Sequence, residues 1–111
     1  MDKIYHITLL LDFYGELLTE KQRSVMSSYY FDDYSLDEIA EEHSITRQAV
    51  QDMIKRTEKL LNQYEEKLML VDKYLNRKNK VDMALNEIDA LINEGNDKLL
   101  QVRSLVSGIL D

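Results

Sequence analysis

The sequence predicts an all-α fold of about five to six helices organised around a helix-turn-helix. Three observations carry that prediction. The 111 residues include no Pro and only three Gly, so little in the chain would break a helix. Apolar residues recur at spacings of three and four along most of its length. Finally, Ser35–Lys59, SLDEIAEEHSITRQAVQDMIKRTEK, reads as two short capped helices joined by a tight turn.

Taken in order, Ile4, Ile7, Leu11, Tyr14 and Leu18 share one helical face, widened by Leu10, Phe13 and Leu17, and predict a first helix. Its apolar start is followed by Asp12 and Glu16 and has no cleavage signal, so it reads as a helix and not as a signal peptide. Thr19 with Gln22 forms a capping box that starts a second helix, whose inner face is Val25, Met26, Tyr29 and Tyr30. Phe31–Tyr34 interrupts the pattern. Ser35 with Glu38 forms another capping box and opens a third helix to His43, with Ile39 and Ala40 turned inward. The turn falls at His43–Ser44–Ile45, with Ser44 where such motifs usually carry Gly.

Thr46 caps the fourth helix. At about 100° per residue, Val50, Met53, Ile54, Leu60, Leu61, Tyr64 and Leu68 fall on one side. Arg47, Gln48, Gln51, Asp52, Lys55 and Lys59 fall on the other, with Arg56 at its edge and Glu58 at its border. Periodicity continues through Val71 and Leu75, so this helix either runs on or breaks near Glu65–Glu66. Asn76–Lys80 reads as a polar, basic connector. Val81, Leu85, Ile88 and Ile92 mark a fifth helix, Gly95–Asn96 its stop, and Asp97 the start of a last helix with Leu99, Val102, Val106 and Ile109. The domain reading is a helix-turn-helix domain over residues 1–75 and a helical extension over 76–111, packed on that domain or at a dimer interface.

Composition excludes several classes. Without Cys there is no disulfide framework, thiol nucleophile or Cys-based zinc site, which suits a cytoplasmic protein. No apolar run is long enough to span a membrane. His6 and His43, the only imidazoles, lie on different helices with no metal-ligand spacing. Asp32–Asp33, Glu41–Glu42 and Glu65–Glu66 are sequence neighbours, which point apart on a helix and cannot share an acid/base or metal site. There is no Gly-rich phosphate loop. The chain therefore reads as a non-enzyme without cofactors. Tyr29, Tyr30 and Tyr34 are read as core and cap packing.

Charge works against one use of the motif. The net charge is −7, and none of the segments 1–34, 35–75 and 76–111 is basic on balance. Phosphate contacts supply most non-specific affinity for nucleic acids, so any such contact must come from the arrangement of charge on one helix face.

Leu17–Leu61 resembles region 4 of bacterial sigma factors, where a helix with a T-x-x-Q/E start precedes a helix-turn-helix opening S-L-x-E-I-A. Asp32-Asp33-Tyr34-Ser35-Leu36-x-Glu38-Ile39-Ala40-Glu41-Glu42 and Arg47-Gln48-Ala49-Val50-x-Asp52-x-Ile54-Lys55-Arg56-Thr57-Glu58-Lys59 are more closely similar to the YlxM family. Phe13-Tyr14, Leu18-Thr19, Lys21-Gln22, Tyr29-Tyr30 and Tyr64-Glu65-x-Lys67-Leu68 add to that likeness. These are small helix-turn-helix proteins of Gram-positive bacteria, with genes beside those for the signal recognition particle GTPase and its receptor. The likeness covers about two thirds of the chain and is specific over Asp32–Lys59. It implies a cytosolic, all-helical protein with a three-helix, winged-helix-like DNA-binding core and a regulatory or accessory role in the signal recognition particle pathway.

Two functions follow as expectations. As a DNA-binding regulator, Thr46 would cap toward phosphate, Arg47 and Gln48 would read bases, and Gln51, Lys55, Arg56 and Lys59 would complete the contact face. So few cations call for a homodimer, for which the apolar C-terminal helices are candidates. The alternative is an adaptor that binds the signal recognition particle GTPase, or its RNA through Arg47, Lys55 and Arg77–Lys80. A helical protein with a purely oligomeric role is the plainest reading.

Overall fold

The computed structural model describes residues 2–95 and 98–110. Among them are six α-helices and no strand: α1 (Lys3–Tyr14), α2 (Glu20–Tyr30), α3 (Leu36–His43), α4 (Arg47–Leu68), α5 (Leu70–Asn93) and α6 (Leu99–Ser107). Short 3₁₀ turns follow α1 at Gly15–Leu17 and α6 at Gly108–Leu110. The chain divides into two compact units, Met1–Val71 and Asp72–Asp111.

In the first unit α4 is the central post: α1, α2 and α3 each pack against it. Ile7, Leu10, Tyr14, Val25, Met26, Ile39, Val50 and Leu61 are all closed off from solvent. The spacing Val50, Ile54, Thr57, Leu61 forms the seam of α4 that they meet. Each of these helices starts where the side chains dictate. Thr19 and Gln22 cap α2 reciprocally, and Ser35 and Glu38 do the same for α3. The Thr46 hydroxyl accepts from the Ala49 amide at 3.0 Å to open α4.

Several sequence expectations are corrected here. The first helix ends at Tyr14, and Leu18 is buried from an extended backbone. Ile4, Phe13 and Leu17, expected on its inner stripe, are exposed. In α2 it is Ser28, not Tyr29, that joins Val25 and Met26 in the interior. Tyr29 and Tyr34 are respectively 37% and 40% exposed, so they are surface aromatics and not core. Asn76–Lys80 is not a connector. It lies inside α5, because Lys, Arg and Asn on a solvent-facing side carry no helix-breaking penalty comparable with Gly or Pro. Gly95 sits at φ +97°, past the end of α5. Asn96 and Asp97, named for the stop and for the start of the last helix, lie outside the described residues.

The break between α4 and α5 comes at Met69, which takes a left-handed conformation (φ 55°, ψ 29°). The amides that open α5 find partners in the first unit. Leu70 N donates to the Tyr14 hydroxyl at 3.1 Å, and Val71 N donates to Glu65 Oε1 at 3.0 Å. Tyr14 in turn donates to Glu65 Oε1 at 2.6 Å. Two side chains thus satisfy backbone donors that a new helix leaves without acceptors. Burial and the adjacent Glu65 carboxylate both raise the Tyr14 phenol above its ordinary pKa.

The second unit contains most of α5 together with α6. Arg103 Nε meets Asp89 Oδ1 at 2.6 Å. No described side chain in this unit is buried. Met83, Leu91, Leu100, Val102, Leu105 and Ile109 are exposed, Leu105 at 76%.

Candidate nucleic-acid interface

The pair α3–α4 is built by local chemistry. Ser44 adopts the left-handed conformation (φ 55°, ψ 42°) after the last turn of α3. This lets Ile45 N reach back to the Ala40 carbonyl at 3.0 Å and reverses the chain. Ile39, Ala40, Val50 and Ile54 close the angle between the two helices from inside. His43 is half-buried beside the turn, and its Nε2 is shut away without a hydrogen-bond partner among the described residues.

All seven residues anticipated as contacts, Thr46, Arg47, Gln48, Gln51, Lys55, Arg56 and Lys59, are exposed at the start and along the outer side of α4. They lie along the exposed side of α4, outside the buried seam of Val50, Ile54, Thr57 and Leu61, with Arg47 and Gln51 toward one edge of that side and Arg56 toward the other. They are not equally free. Thr46 spends its hydroxyl on the cap. Arg47 Nη1 lies 3.5 Å from Asp37 Oδ2 of α3, at the long limit of a hydrogen bond between two exposed groups. Gln48 Nε2 donates to Asp52 Oδ1 at 3.0 Å. Lys55, Arg56 and Lys59 have no ion-pair partner among the described residues. Arg47 and Gln48, the residues expected to read bases, therefore each lie against a carboxylate, while three cations further along the helix do not.

Glu58 is drawn off this face. It accepts from the Tyr30 hydroxyl and lies 3.7 Å from Lys3 Nζ. Burial, then the Glu58 carboxylate, raises the Tyr30 phenol well above its ordinary pKa. A cleft of about 150 Å³ opens here, where Gln51 and Lys55 meet Tyr29, Tyr30 and Lys3. On the other flank, a cleft of about 500 Å³ joins Asp52, Met53 and Arg56 to Thr19, Lys21 and Gln22 at the start of α2.

Sequence reasoning did not bring Lys21 or Thr57 to this surface, where both line the 500 Å³ cleft. Lys21 stands on a different helix, and only packing brings it to the cleft that Arg56 also lines. Thr57 was legible in principle, because it falls midway along the buried spacing Val50, Ile54, Leu61, but a polar residue does not announce itself in an apolar stripe. Among the described residues no cluster of His, Asp or Glu could hold a metal ion, and no helix is long and apolar enough to cross a membrane.

Comparison with known proteins agrees with this architecture. The model of family UPF0122, described as "Putative helix-turn-helix protein, YlxM / p13 like", matches residues 1–101. The chain belongs to this family. It is 58% identical over 78 residues to UPF0122 protein YlxM of Bacillus subtilis, covering 70% of this chain and 71% of that protein. A UPF0122 protein of Exiguobacterium sibiricum is 55% identical over 89 residues, 80% of this chain and 83% of the relative. One from Listeria innocua is 46% identical over 107 residues, 94% and 97% of the two chains. The fold is thus an all-helical helix-turn-helix fold of the UPF0122 family, and the likeness extends past the motif into the C-terminal unit.

Proposed function

We propose that this protein is a regulator that binds DNA through α4, the helix opening after Thr46, and that it serves the signal recognition particle pathway to which the family resemblance points. The observation that supports DNA binding is the outer side of α4, where Arg47, Gln48 and Gln51 precede three cations without carboxylate partners. Arg47 and Gln48 lie at the end of the helix that enters the major groove in such motifs. Lys55, Arg56 and Lys59 lie where backbone phosphates would run. The protein acts as a homodimer through its C-terminal unit, which supplies the second set of contacts.

Arg47→Ala with Gln48→Ala should abolish a sequence-specific gel shift at low salt, whereas Asp52→Asn should strengthen binding severalfold by releasing Gln48 and removing a charge that repels phosphate. An unchanged shift in the double variant, or no shift with the wild type, counts against the reading.

A second reading draws support from the acidic neighbourhood of the motif. Asp37, Glu38, Glu41, Glu42 and Asp52 are all exposed, which suits a basic protein partner. Under it the chain is an adaptor on the signal recognition particle, binding the GTPase or the RNA. Pull-down with the purified particle, read with its GTPase rate, tests this. Absence of both binding and a rate change at high protein concentration removes it.

A further inference from the structure

The 500 Å³ cleft between the start of α2 and the middle of α4 combines features that packing alone does not explain. Lys21, in the first turn of α2, and Arg56, on the exposed side of α4, both line it. Neither has an ion-pair partner among the described residues. One carboxylate, Asp52, is also present, and its Oδ1 is already taken by Gln48. The rim residues Thr19 and Gln22 are occupied with capping each other's backbone. Thr57 completes the lining. It is wholly buried, and its Oγ1 has no hydrogen-bond partner among the described residues. A helical Thr ordinarily donates to the carbonyl one turn back, and leaving a buried hydroxyl unused is costly. An unspent donor therefore borders a cleft with two cations and one engaged carboxylate.

We propose that this cleft takes a backbone phosphate of the nucleic acid laid across α4, with Lys21 and Arg56 as the two charges and Thr57 as the donor beneath. The inference rests on the DNA-binding reading above and adds to it a contact from outside the helix-turn-helix. A phosphate carries no sequence information, so the cleft's role is to set register. Because Lys21 stands on α2 and Arg56 on α4, gripping one phosphate from both fixes the angle at which α4 meets the groove. The Thr57 hydroxyl is closed off in the free chain. Its use requires a side chain that lines the cleft to move aside.

The test is fluorescence anisotropy of the full chain with a random-sequence DNA duplex over a range of salt concentrations. Each phosphate contact contributes about 0.9 to the slope of log affinity against log salt. Lys21→Ala with Arg56→Ala should therefore lower the wild-type slope by about 0.9, the loss of one phosphate contact, and Lys21→Ala alone should lower it by part of that. Thr57→Val keeps the shape of the buried side chain. It should weaken binding severalfold without lowering the melting temperature, a combination that a purely structural Thr would not give. If the wild type binds and Lys21→Ala leaves the slope unaltered, the cleft assignment is wrong and α4 stands as the reader. If the wild type binds no duplex, both fall. If inorganic phosphate shifts the amide resonances of Lys21, Arg56 and Thr57 while duplex DNA does not bind, the cleft belongs to a free phosphate compound and the nucleic-acid assignment is overturned.

Discussion

The two units of this chain use the same residue types and the same secondary structure to different ends. In Met1–Val71 the apolar spacing of four helices converges on one seam, and side chains such as Leu10, Val25, Ile39, Val50 and Leu61 are fully closed off. In Asp72–Asp111 the spacing is as regular, yet no described side chain is buried, and α6 with the turn after it presents Leu100, Val102, Leu105 and Ile109 to solvent. Helical periodicity tells which residues would face a partner. It does not tell whether the chain itself supplies one. A two-helix segment of this size without a closed core has little to offset its ordering entropy, which is why dimerisation is proposed for the second unit.

The largest expected effect exploits that contrast directly. Leu61→Ala removes a fully buried side chain at the centre of α4 and should cost about 3 kcal/mol in chemical denaturation, with no dependence on protein concentration. Leu105→Ala removes an exposed one and should leave dilute protein unchanged while lowering the dimer fraction seen by sedimentation. If both variants unfold equally at low concentration, the second unit is held by the chain's own packing and the contrast is wrong.

How much of this could be read in advance divides along the same line. The caps at Thr19, Ser35 and Thr46 and the turn at Ser44 were legible, because each is a local bargain between a side chain and nearby amides. The helix-turn-helix followed from them, while the likeness to the family rested on the particular residues of Asp32–Lys59. The exposure of Arg47, Gln48, Gln51, Lys55, Arg56 and Lys59 was legible, since all fall outside the apolar spacing of α4. What failed depended on tertiary partners. Tyr29 and Tyr34 carry the composition of a core, but Ser28 has the phase that meets α4's side of the bundle. The break at Met69 has no Gly or Pro to mark it and is fixed by Tyr14, 55 residues earlier. The Asn76–Lys80 stretch misled in the opposite direction, since polarity marks exposure and not the absence of a helix.

A smaller effect is expected at the edge of the first unit. Tyr14→Phe deletes the hydroxyl that serves Glu65 and Leu70 together and should cost about 1–3 kcal/mol. It also changes the response to alkali. The phenol's pKa is raised by folding above its ordinary 10.0. The folded state therefore holds the proton more tightly than the unfolded chain does. The resulting stability is fully present below pH 10.0 and is lost as pH rises from there toward the folded-state value. Tyr30, raised for similar reasons, contributes in the same direction. Denaturation midpoints measured upward from pH 9 should fall less steeply in Tyr14→Phe than in the wild type. Parallel curves would mean that the hydroxyl is not held by Glu65 in solution.

The smallest effect comes at the turn of the motif. Ser44 is a non-glycine residue in the left-handed region, a conformation that costs an L-residue about 1 kcal/mol relative to glycine. Its side chain forms no hydrogen bond that the substitution would forfeit, and the residue is exposed. Ser44→Gly should therefore raise stability by somewhat less than about 1 kcal/mol, since glycine also gains freedom in the unfolded chain. Any gain belongs to the first unit, so it should appear at every protein concentration and leave the dimer fraction untouched. A gain that appeared only in the dimer would tie the turn to the second unit and blur the division between them. A loss of stability would mean that the chain relaxes Ser44 out of the left-handed region, and α3 and α4 would then meet at a different angle from the one described.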